Sequence, residues 1–197
     1  MKIKNLEDLK AYSLEICKSF PEDTDRSDLT SPLCDLELLK ATISGLPESY
    51  LDVAKKIALK GKVLGYFSLW PEAFDQETLE ETLVKANSET APFTSTFRKH
   101  GCYQIATYEA EPIGIVREGE PNEGSIIKLD IDSPVLEISK LASSFEEFLL
   151  IAGSLDKAQM ENQGPDALDS FLEDIQRATD KDIASNWRVI CEVAFGC

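Results

Sequence analysis

Tyr103-Gln104-Ile105-Ala106-Thr107-Tyr108 opens the stretch on which the fold turns. Its apolar and polar residues partly alternate. Ile113-Gly114-Ile115-Val116 follows as a second β-forming run, and Ser125-Ile126-Ile127-Lys128-Leu129-Asp130 makes a third. Between the last two lies Glu118-Gly119-Glu120-Pro121-Asn122-Glu123-Gly124. This is a turn by composition, because glycine, proline and asparagine supply the backbone conformations that reverse a chain. Short β runs joined by tight connections predict an antiparallel meander. Upstream, Val63-Leu64-Gly65-Tyr66-Phe67-Ser68-Leu69-Trp70 is rich in aromatic and β-forming residues and is closed by Pro71, which predicts a further buried or edge strand.

Outward from this β-rich middle the periodicity becomes helical. Toward the N-terminus, residues 5–20 predict a helix carrying Leu6, Leu9, Leu14 and Ile16, with Asn5 as its cap. Pro21-Glu22-Asp23-Thr24-Asp25 breaks it, and residues 21–32 read as a loop. A second helix is expected over residues 32–44, through Leu33, Leu36, Leu39 and Ile43, with Ser31 before Pro32 as its start and Gly45 as its stop. Leu46-Pro47 begins another, ended by Gly61, and residues 75–87 predict a short one with Leu79 and Leu83 on one face. Toward the C-terminus, Leu141, Phe145, Phe148, Leu149 and Ala152 share a helical face running to about Gly153. Residues 154–164 are polar and read as loop, and residues 165–179 and 182–195 predict two closing helices. Helices before and after an antiparallel sheet define an α+β fold, the sheet flanked by helices.

Composition bounds the function. The chain has 197 residues, of which 43% are hydrophobic and 28% charged, enough to bury a sizeable core. Its 36 acidic residues outnumber 20 basic ones, for a formal charge of −16. Such a surface repels phosphate backbones and anionic membranes, so nucleic acid and membrane are excluded as partners. It attracts basic proteins, and it equally serves solubility alone. Met1-Lys2-Ile3-Lys4 leads into Asn5, Glu7 and Asp8 instead of the apolar run of a secretory leader. The five cysteines are odd in number and scattered. Both features point to reduced thiols in the cytoplasm.

Three segments, in order, resemble the SUKH superfamily of Smi/Knr-type proteins. They are Gly45-Leu46-Pro47-Glu48-Ser49-Tyr50, the β-rich middle with Glu123-Gly124-Ser125-Ile126-Ile127-Lys128-Leu129-Asp130, and Leu141-Ala142-Ser143-Ser144-Phe145-Glu146-Glu147-Phe148-Leu149. Members often carry an Asn-Gly pair after the Leu-Pro helix, where this chain has Lys60-Gly61-Lys62. The resemblance covers residues 33–153. It implies an α+β fold, an antiparallel sheet flanked by helices; the chain length suits a single domain over residues 1–197 with that core, a helical N-terminal arm (1–32) and a helical C-terminal extension (154–197) outside the resemblance. The resemblance also implies a binding protein. Many members look like immunity proteins that neutralise a cognate toxin domain, and others look like regulatory interaction proteins. No catalytic residue carries over.

The residues themselves offer little chemistry. His100 is the only histidine, which removes most histidine-based metal and acid–base schemes. His100 and Cys102 are spaced for one side of a strand, yet a cysteine before β residues is more often core. Cys191 and Cys197 are too far apart for a structural zinc pair. Asp130 and Asp132 flank a strand end and read as solvated acids before a cation site. No phosphate-binding glycine loop is present. The expectation is therefore no enzyme, no cofactor and no metal. Instead, a basic protein partner is held by Glu118, Glu120 and Glu123 on the turn, by Glu72, and by Trp70 as an exposed aromatic anchor.

Overall fold

In the computed structural model, which describes residues 1–131, 136–161 and 167–196, the meander is a sheet with its strands in chain order. The strands are β1 (Val63–Leu64), β2 (Phe67–Ser68), β3 (Cys102–Tyr108), β4 (Glu111–Val116), β5 (Ile126–Asp130) and β6 (Glu137–Ala142), and every neighbouring pair is antiparallel. The strand expected over residues 63–70 is instead a tight hairpin. Gly65, at φ +57°, reverses the chain so that Leu64 pairs with Phe67. β6 was not expected: Leu141, read as helical, lies within that strand.

Both sheet faces are buried over part of their area, which explains why the alternation in the β runs is only partial. Ile105, Ile113, Ile115, Ile126 and Leu141 belong to the main core. Phe97, Cys102, Val116, Ile127 and Leu129 form a smaller cluster. Gly114 permits this second layer, since a Cβ there would stand 2.4 Å from the Phe97 ring.

The described helices are α1 (Leu6–Ser19), α2 (Thr24–Ser27), α3 (Leu36–Thr42), α4 (Glu48–Ala54), α5 (Leu79–Ala86), α6 (Thr94–Lys99), α7 (Phe145–Met160), α8 (Leu168–Ala178) and α9 (Lys181–Phe195). Asn5 caps α1 as expected, accepting from the Asp8 amide at 2.9 Å. α3 starts later than residue 32. Asp35, not Ser31, is its cap, accepting from the Leu38 amide at 3.0 Å, and this leaves Leu33 outside the helix. α2 occupies part of the expected loop 21–32, and α6 was not anticipated.

α7 begins at Phe145, with Ser144 as its cap, and runs past Gly153 through most of the expected loop 154–164. Two of the polar residues that suggest a loop, Ser154 and Asp156, are inside the protein and bonded. Ser154 Oγ accepts from the Ile3 amide at 3.1 Å, and the Tyr12 hydroxyl donates to Asp156 at 3.0 Å.

The terminal segments pack into the same core as the middle. Ile3, Leu9 and Tyr12 from one end, and Phe171, Ile175, Ile183 and Trp187 from the other, join Tyr50, Phe67, Phe145 and Phe148 in one cluster. Ring centroids of Phe148 and Trp187 lie 5.1 and 5.5 Å from Phe67. Such pairs contribute about 0.5–1.5 kcal/mol each beyond their burial. The Trp187 indole donates to Leu141 O at 2.7 Å and Asn186 donates to Lys140 O at 2.9 Å, so α9 covers the open backbone of the edge strand β6. No helix among the described residues is long and apolar enough to cross a membrane.

Candidate partner interface

The turn between β4 and β5 brings Glu118, Glu120 and Glu123 together, all exposed. Backbone bonds fix it in place: Arg117 N donates to Gly101 O at 2.8 Å, Glu118 N to Gly45 O at 2.9 Å, and Gly124 N to Val116 O at 2.9 Å. Gly124, at φ +78°, also lets the turn approach α4, since a Cβ there would meet Ser49 Oγ at 2.8 Å. The three acids differ in their engagement. Glu123 accepts from the Gly119 amide at 2.9 Å, and Glu120 pairs with Arg117 at 3.4 Å. The Glu118 carboxylate makes no ion pair or side-chain hydrogen bond among the described residues.

Trp70 is not an anchor. It is 8% exposed and packs in the main core, with the Lys60 ammonium 5.6 Å above its ring. The short strand β2 leads directly into the core instead of ending at the surface, which carries Trp70 inward. Glu72 is exposed and accepts from the Ser68 hydroxyl at 2.8 Å. No hydrogen bond or ion pair among the described residues links Trp70 or Glu72 to the β4–β5 turn. The five residues singled out in the sequence therefore divide between two places.

Glu72 has other company. It opens the run Glu72, Asp75, Glu77, Glu80 and Glu81, in which no lysine or arginine occurs before Lys85. Asp75 pairs with Lys60, Glu81 closes a capping box with Thr78, and buried Glu80 accepts from the Asp35 amide at 2.7 Å. Beside this run lies a groove of about 520 Å³ whose lining includes Leu33, Leu38, Leu59, Glu77 and Leu79. Leu33 is 89% exposed and Leu38 51%. The helical spacing groups Leu33 with Leu36, Leu39 and Ile43, and Leu38 is not on that face. The signal that places Leu33 outside is Asp35, three residues before Leu38: a cap at that position starts the helix beyond Leu33.

α3 connects the two acidic places. Its N-terminal end is tied to the acidic run through Asp35 and Glu80, and the glycine after its C-terminal end holds the β4–β5 turn through Glu118. The seven residues of α3 span roughly 10 Å at about 1.5 Å each.

The other candidates resolve as structure. The Cys102 thiol is buried, donates to His100 O at 3.2 Å, and is pushed up to about 11 by desolvation, the reverse of an activated nucleophile. Burial likewise pushes Cys191 up to about 12, and Cys197 lies outside the described residues. Asp130 ends β5, while Asp132 also lies outside the described residues. Among the described residues no group of three or more histidines, cysteines or carboxylates is placed to hold a metal ion.

Comparisons with protein-family models, with curated proteins and with solved structures yield no match.

Proposed function

We propose that this chain is a binding protein that occludes a basic partner stoichiometrically, most specifically as a bacterial immunity protein against a toxin domain. The observation behind this reading is the pairing of two exposed leucines, Leu33 and Leu38, with a run of five carboxylates uninterrupted by a base. An apolar anchor beside exposed carboxylates, here Glu72 and Glu77, is the composition of an interface centre with its rim, although Asp75 is paired with Lys60 and Glu80 is buried. Glu118 and its neighbours, at the other end of α3, extend the same charge.

A basic toxin that grips phosphates with lysine and arginine presents groups these carboxylates can occupy. Charge of −16 on 197 residues accelerates that encounter and makes it sensitive to salt. Affinity capture from lysate of the source cells, with the bound proteins identified, tests the reading. It predicts one basic polypeptide in one-to-one yield, retained at roughly 50 mM salt and released by about 500 mM. Several weak partners would instead indicate a regulatory interaction protein, and capture of none would reduce the acidic surface to a solubility device.

A further inference from the structure

A second feature lies away from α3, where the C-terminal halves of α1 and α7 meet α2 and the β1–β2 hairpin. There a cavity of about 400 Å³ is walled by Ile16, Phe20, Val63 and Met160, with Asp156 within it. Asp156 is 7% exposed. One carboxylate oxygen accepts from the Tyr12 hydroxyl at 3.0 Å, and no lysine or arginine among the described residues pairs with it. The other oxygen faces Gly65, 3.4 Å from where a Cβ would stand. Glycine at this position keeps a side chain off the carboxylate. Asp23 and Arg26, both exposed and of opposite sign, and Ser27 also line it, and Asp156 is the one buried charge in the described lining. Phe20 and Met160 are 41% and 51% exposed, apolar surface without a cover.

A buried carboxylate with one described donor is costly, and the groups that would relieve it are a positive charge and further donors. We propose that this cavity binds a small organic cation: a primary amine on an apolar body, its ammonium against Asp156 and its body against Ile16, Phe20 and Met160. An ammonium brings three donors and the missing charge. A neutral apolar molecule would desolvate the carboxylate further, and an anion would be repelled by it. The volume lies within the usual range of small-molecule sites, roughly 300–1,000 Å³.

Phenethylammonium chloride is the probe and 2-phenylethanol its neutral counterpart, titrated into the full chain by calorimetry, with methyl NMR on Ile16 and Met160. Two variants accompany the wild type. Asp156→Asn removes the charge but still accepts from Tyr12, and Met160→Lys places a like charge at the mouth from an exposed position that does not threaten folding. Saturable one-to-one binding is expected, weakened about tenfold or more in each variant and for the alcohol, as loss of a charge-assisted hydrogen bond implies. The proposal is overturned if the wild type shows no saturation below about 5 mM. It is equally overturned if both variants bind phenethylammonium as tightly as the wild type, or if the alcohol binds as tightly as the amine.

Discussion

Asp156 shows what a single buried residue does to both the reading and the stability of this protein. In sequence it is one more acid in a polar stretch. In the fold it is inside α7, bonded to Tyr12 across the α1–α7 contact. Burial raises its pKa above the usual 3.8, because removing water penalises the ionised form more than the neutral one. The native state therefore holds the proton more tightly than the unfolded chain. The stability this contributes is complete below about 3.8 and is lost as pH rises through the folded value. Asp156→Asn lacks that loss. Its melting temperature, relative to wild type, should rise between about pH 4 and pH 7, and a gap that stays constant with pH would contradict the assignment. Trp187 makes the parallel case for an apolar residue with one polar atom. Trp187→Phe leaves Leu141 O without its donor and opens a void, so denaturant unfolding should register a loss of roughly 2–4 kcal/mol. At Cys102, burial and the raised pKa predict iodoacetamide labelling in the native state far slower than for an unfolded thiol near pH 8. Labelling at the free rate would restore the nucleophile reading.

At the scale of elements, legibility followed the locality of the cause. Asn5 capping α1 and the three central strands were readable, because a cap and its amide or a β run and its turn lie within a few residues of each other. The end of α7 was not. What makes Ser154 and Asp156 helical is their bonding to Ile3 and Tyr12, more than 140 positions away in the chain, and local polarity points the other way. Leu33 failed for a different reason. Its spacing from Leu36 and Leu39 is helical, but the helix starts only at Leu36, so periodicity without its boundary assigned the wrong face. β6 and α6 each fell beside a stronger neighbouring signal. The candidate site was legible as a charge, and its three turn glutamates as a group, but Trp70 needed the hairpin to show where the chain goes after Phe67. Packing of α1 makes its own prediction. Leu9 is fully buried, so Leu9→Ala should cost about 2–5 kcal/mol, whereas a helix resting loosely on the surface would lose less than about 0.5 kcal/mol.

At the scale of the molecule, charge and packing have separate roles. The core draws on both ends of the chain, and among the described residues the acids stand outside it except for buried Glu80 and Asp156. Repulsion within a chain of −16 opposes compaction, so an acidic excess of this size is tolerated because the interior is extensive. What distinguishes a binding surface from a solubility device is whether apolar anchors and carboxylates act together. The decisive measurement is a titration of the captured basic polypeptide against wild type and the Leu33→Asp/Leu38→Asp variant, each at low and high salt. Both leucines are exposed, so the variant should fold with an unchanged melting temperature. Binding should be one-to-one and weaken about tenfold or more both in the variant and on raising salt from roughly 50 to 500 mM. Affinity indifferent to the two leucines and to salt would contradict an acidic, leucine-anchored interface on this face of the protein.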